Sequence, residues 1–79
     1  MDNIGRAEKV LKRTLTESFG RSLHGIVSYG RRWDPRLKAE TLGVVVDTEL
    51  VSDAKVKALP SDIGGVNIQV LKAGRASLD

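Results

Sequence analysis

The sequence predicts a small α+β domain with its elements in the order α-β-β-α-β, two helices packed on one face of a three-stranded sheet. Three observations carry this expectation. Residues 4–19 repeat apolar side chains at helical spacing. Residues 41–47 and 66–71 alternate apolar with small or polar side chains, the period of a strand. A segment led by Ser52 and closed by Pro60 separates those two strands. Seventy-nine residues make one domain, 1–79, with residues 1–3 and 75–79 expected to fray.

The first helix is capped by Asp2 or Asn3. Ile4, Ala7, Leu11, Leu15 and Phe19 form its apolar stripe, widened by Val10 and Ser18. Arg6, Lys9, Lys12, Arg13 and Glu17 occupy the other face, and Glu8 and Lys12 form an i,i+4 pair. Gly20 suits the C-terminal cap.

The first strand covers residues 23–32. Neither of its two candidate faces is cleanly polar; Leu23, Val27 and Tyr29 are expected inward, with Ile26 partly covered. Asp34-Pro35 then turns the chain, since proline removes a ladder donor. The second strand, 41–47, places Leu42, Val44 and Val46 on one face. Val45 on the other face, beside Gly43, marks it as central or covered on both sides.

Ser52 caps a short second helix over 53–59, with Ala54, Val56, Ala58 and Leu59 as its apolar positions. Such a short helix depends on tertiary packing. Gly64-Gly65 supplies a turn before the last strand, 66–71. That strand lies parallel to the second if the helix makes a right-handed crossover. If it lies beside the first instead, the result is a ferredoxin-like sandwich lacking its first strand. Either arrangement leaves one sheet face open to water or to a partner.

Composition bounds the function. A chain this short buries only about 60–65% of the surface its unfolded form exposes, and its net stability is roughly 3–5 kcal/mol. Cysteine is absent, so neither a disulfide nor a thiolate metal site contributes, and a reducing cytoplasm is the expected compartment. No apolar run approaches the ~20 residues of a membrane helix, and the charged N-terminal region lacks the apolar core of a signal peptide. No membrane association is expected. The net charge of +3 is uneven: residues 1–40 hold nine Lys/Arg against five Asp/Glu, and residues 41–79 hold four against five. The basic excess falls on the first helix and the first hairpin, where it can attract phosphate or an acidic partner, or simply solvate the surface.

Gly25-Ile26-Val27 with Gly30, the alternating strand at 42–46, Leu59-Pro60 and Gly65-Val66-Asn67-Ile68-Gln69-Val70 together make a short motif set. In this order they resemble the small segment that precedes the trypsin-like domain in some bacterial proteins. The likeness covers about two-thirds of the chain, from 23 to 74. The glycine spacing of the first strand departs from that pattern, and the catalytic serine of those proteins has no counterpart. What the resemblance implies is a non-catalytic accessory domain.

No constellation for catalysis is legible. His24 is the sole histidine; Ser22 and Ser28 are near in sequence, but no Gly-x-Ser-x-Gly elbow exists. One histidine without cysteine is a poor zinc set. Asp47, Glu49 and Asp53 lack calcium-loop spacing and read as loop acids favouring the start of the second helix. Gly64-Gly65 precedes a strand, not a helix, and is no phosphate loop. No cofactor and no metal are expected.

One segment has binding character. Arg31, Arg32, Trp33, Arg36 and Lys38 combine cations and a flat aromatic around a turn. Tryptophan and arginine are enriched at protein–protein hot spots; arginine and lysine also meet phosphates, and tryptophan stacks on unpaired bases. The plain alternative folds Trp33 back over the core and leaves the arginines solvated. The expected function is a non-enzymatic interaction or assembly module whose partner is another protein or a second copy. Nucleic-acid binding through the basic hairpin is the alternative.

Overall fold

A computed structural model describes residues 3–73. Met1, Asp2 and residues 74–79, including the expected cap Asp2 and the expected frayed tail, lie outside the described residues. Asn3 is the first residue of helix α1, Asn3–Phe19. Ala7, Leu11, Leu15 and Phe19 are buried at four-residue spacing, as one face of a helix requires. The stripe is narrower than the sequence suggests, because Val10 and Ser18 are exposed. The Gly20 N–H donates to the Thr16 carbonyl at 2.9 Å and closes the last turn.

Strand β1, Ile26–Asp34, pairs antiparallel with β2, Ala39–Asp47, through a turn over 35–38. Ile26 lies opposite Val46 but Ser28 lies opposite Val45, so Val27 is an inserted residue, a β-bulge. The bulge explains why the two faces of this strand could not be told apart by alternation. Ile26 and Tyr29, three residues apart, both pack on the core, while Val27 is 61% exposed. The inward placement of Val27 is therefore corrected. Leu23 packs against the core from the preceding loop, not from the strand.

β2 is central. Leu42, Val44 and Val46 are fully buried on one face, and Thr41 and Gly43 are buried on the other. Helix α2 is one turn, Asp53–Lys57, shorter than the expected 53–59. The Ser52 Oγ accepts the Lys55 N–H at 3.4 Å as its N-cap. Val56 and Leu59 pack on the core, whereas Ala54 and Ala58 are exposed. The Lys55 Nζ lies 5.4 Å from the centre of the Phe19 ring and donates to the Ser18 carbonyl at 3.4 Å, tying α2 to the end of α1.

The two-residue strand β3, Asp62–Ile63, precedes β4, Val66–Ala73. β4 runs parallel to β2, with Val70 beside Val44. This is the crossover arrangement; the ferredoxin-like alternative required β4 beside β1. β3 pairs antiparallel with β4 through Gly64 and Gly65, whose φ values of +57° and +85° suit a two-residue hairpin turn of the kind that matches strand twist. The domain is thus α+β with two helices and a mixed four-stranded sheet in the order β1-β2-β4-β3. The expected three-stranded sheet omitted β3, since two residues are too few to show an alternation.

α1 covers one face of the sheet, and its buried stripe joins Leu42, Val44, Val46, Val66 and Ile68 in one core. Neither helix packs on the opposite face. No helix of the described residues is long and apolar enough to cross a membrane.

Candidate interaction surface

The parity of β1 beyond its bulge decides where each candidate side chain goes. Arg31 and Arg32 are consecutive strand residues, so they point to opposite faces. The Arg31 Nε meets the Glu8 Oε1 at 3.4 Å, which fixes Arg31 on the helix side. Glu8 thus reaches across to the sheet instead of pairing with Lys12 along the helix.

Arg32 goes the other way. A side chain added at Gly43 would project away from Leu42 and Val44, onto the open face. A β-carbon there would stand 2.7 Å from the Arg32 Cδ. Arg32 therefore lies across β2, over the glycine, on the face that neither helix covers. Its guanidinium has no carboxylate partner among the described residues, and neither has that of Arg36.

Trp33 shares the Arg31 side by alternation but lies outside the core. It is 59% exposed, and Leu37 in the turn is 56% exposed. The alternative in which Trp33 folds back over the core does not hold. Arg36 and Lys38 are exposed in the same turn. The hairpin tip therefore presents two apolar side chains among four cations, with Asp34 and Glu40 as the only carboxylates between residues 31 and 40.

Asp34 holds that tip in shape. It is 7% exposed, and its Oδ1 accepts the Arg36 N–H at 2.8 Å, an Asx turn that sets the chain direction after Pro35. Its Oδ2 accepts a hydrogen bond from the Gln69 side chain, which crosses β2 to link β1 with β4. The sequence marks Asp34 only as a turn former; the long-range bond to Gln69 has no local signature.

The open face is a trough. Gly30 and Gly43 are opposite one another in the β1–β2 register, and the Arg32 side chain lies over Gly43. One depression of about 220 Å³ is lined by Ser28, Tyr29, Gly30, Arg31, Arg32, Gly43, Val45 and Leu71. A second, of about 490 Å³, is lined by Arg32, Asp34, Pro35, Arg36, Gln69 and Leu71. Arg32 and Leu71 belong to both, so the two depressions are neighbours on one surface. β1 also forms one edge of the sheet, and its bulge and exposed arginines are features that discourage another strand from adding there.

The remaining candidates stay apart. His24 is exposed. The Asp47 Oδ1 accepts the Glu49 N–H at 2.9 Å within its own loop, and Asp53 lies in the first turn of α2. Among the described residues no three His, Cys, Asp or Glu side chains converge on a point that would hold a metal ion. The helix cations Lys9, Lys12 and Arg13 are exposed on α1, on the covered side of the sheet, whereas Arg32 occupies the open side.

Comparison with protein-family models, with curated proteins and with solved structures returns no match. The resemblance to the accessory segments that precede trypsin-like domains accordingly rests on the strand motifs alone.

Proposed function

We propose that this chain is a non-enzymatic protein-interaction module that engages a protein partner through the β1–β2 hairpin. The observation that supports it most is the hairpin tip. Trp33 and Leu37 are exposed in a turn whose conformation is held by Asp34, and Arg31, Arg32, Arg36 and Lys38 surround them. A tip already ordered in the free protein loses little conformational freedom on binding, so more of its contact energy appears as affinity. Tryptophan supplies a large rigid contact, and arginine supplies charge and planar hydrogen bonding.

Two features weigh against the nucleic-acid alternative. The cations divide between the two faces of β1 instead of forming one stripe, and Tyr29, the one aromatic residue that lines the described depressions of the open face, packs against the core. We assign no catalytic role to the chain.

The test is quantitative capture from the native cell extract, comparing the wild-type chain with Trp33→Ala and Arg36→Glu. Both positions are exposed, so both variants should melt within about 0.5 kcal/mol of wild type. One partner retained by wild type and lost by both variants is the expected result. An identical set of captured proteins for all three chains would overturn the hairpin reading. Sedimentation of the purified chain separates a foreign partner from a second copy. Oligonucleotide binding at low salt that weakens steeply as salt rises would replace the protein partner with nucleic acid.

A further inference from the structure

We infer that the trough on the open sheet face receives an extended acidic segment of the partner protein. Its carboxylates would lie on Arg32 and Arg36, and an apolar side chain between them would lie over Val45 and Leu71. This inference rests on the interaction reading above and names the chemistry of the partner.

The two consecutive arginines of β1 differ in what they meet. Arg31 is spent on Glu8 and helps dock α1. Arg32 has no carboxylate partner among the described residues, yet it does not simply extend into water. It lies along the sheet over Gly43, whose missing side chain makes the room. A guanidinium held flat against a surface presents its planar donors in a fixed fork, the geometry that binds a carboxylate with two parallel bonds. Arg36 lines the same face about one turn further along the hairpin.

Asp34, the carboxylate nearest these arginines in sequence, is already engaged. Its two oxygens accept from the Arg36 backbone N–H and the Gln69 side chain, and it is buried. It therefore shapes the trough without using up the Arg32 or Arg36 guanidinium.

Shape and charge narrow the occupant. From Ser28 to Asp34 the trough runs about 20 Å, at roughly 3.3 Å per residue, and matches an extended segment of about six residues. Gly43 leaves room for the Arg32 side chain to lie close to the sheet, so an incoming segment meets the arginine first. Val45 and Leu71, the latter 38% exposed, offer an apolar floor beside the arginines. A second copy of this chain is a poor occupant, because a two-fold contact would bring together two faces that each carry Arg32 and Arg36, while Asp34 is buried and already engaged. A single-stranded nucleic acid would find anion sites here, but Tyr29, the aromatic at this depression, packs against the core and offers its bases no free platform.

The experiment is an amide chemical-shift titration of the full-length ¹⁵N-labelled chain with a capped peptide of sequence Glu-Leu-Glu-Gly-Glu-Leu-Glu. The control is the same peptide with glutamine for every glutamate. Shifts should concentrate on Gly30, Arg32, Gly43, Val45, Gln69 and Leu71, and the glutamine peptide should bind about tenfold more weakly or not at all. Two variants test the two halves of the site. Arg32→Gln removes charge without removing bulk. Gly43→Ala fills the trough and displaces Arg32, and its backbone conformation accepts alanine. Each should weaken the peptide by about tenfold, and Arg32→Gln alone suffices should Gly43→Ala not fold.

Absence of shifts at millimolar peptide, or unchanged affinity in Arg32→Gln, would overturn the inference. Shifts confined to residues 33–38 would overturn the trough while leaving the hairpin reading intact. Partner capture unaffected by Trp33→Ala would strike the hairpin reading itself. An oligothymidylate that moves the same amides with higher affinity than the peptide would overturn the acidic-segment occupant.

Discussion

The two faces of β2 are made by alternate residues of one strand, yet they do opposite work. Leu42, Val44 and Val46 point at α1 and are fully buried. Thr41, Gly43 and Val45 point the other way, into a trough of small and polar side chains bounded by Arg32 and Leu71. The first face carries most of the apolar burial available to a chain of this size. The second buries Thr41, Gly43 and Asp34 but leaves Arg32, Arg36 and Leu71 accessible to carry contacts. In so small a domain, stability and recognition can be divided by the pleat of a single strand.

The sharpest way to break this contrast is to truncate one leucine on each side. Leu15 is fully buried in the core, and Leu15→Ala should cost about 2–5 kcal/mol. That is most of the roughly 3–5 kcal/mol available to a domain of this length, so the variant should be largely unfolded at room temperature. Leu71→Ala, on the open face, should cost about 0.5 kcal/mol or less. Urea melts monitored by circular dichroism measure both. Similar losses at the two sites would mean that the open face is part of the core.

Asp34→Ala should have the next largest effect. It removes the acceptor for the Arg36 N–H and for the Gln69 side chain together. Leaving those donors without a partner should cost about 1–3 kcal/mol. Hydrogen exchange should quicken at the Arg36 amide and through the turn over 35–38. The α1 amides should retain their exchange order relative to one another, since Asp34 has no bond to that helix. A variant as stable as wild type would show that water replaces the carboxylate without loss.

Much of the fold was legible because its determinants are local. The four-residue spacing from Ala7 to Phe19, the alternation over 42–46, the Ser52 cap and the Gly64-Gly65 turn each act within a few neighbours, and each appears where expected. What escaped the sequence depends on partners distant along the chain. The bulge at Val27 is a matter of register against Val45 and Val46, and it inverts the parity of every later residue in β1. That inversion decides which of Arg31 and Arg32 faces the helix. The binding character of 31–38 was readable from residue types, and the opposite faces of Arg31 and Arg32 follow from their adjacency in a strand; what each meets, Glu8 and the space over Gly43, was not. The trough was hidden for the same reason: Gly30 and Gly43 meet only once the register is known, and Gln69 reaches Asp34 only through the strand order.

The smallest effect concerns Arg31, and it bears most directly on the division between the two arginines. Its pair with Glu8 joins side chains that are 42% and 37% exposed, at 3.4 Å. Pairs this accessible contribute about 0.2–1 kcal/mol, and less as salt screens them. A double-mutant cycle with Glu8→Ala and Arg31→Ala should therefore give a coupling of about 0.5 kcal/mol at low salt, shrinking as salt rises. The companion cycle, Glu8→Ala with Arg32→Ala, should give none, because Arg32 occupies the other face of the sheet. Equal coupling in the two cycles would require both arginines on the helix side, and the bulge at Val27 could not then set the parity of the strand.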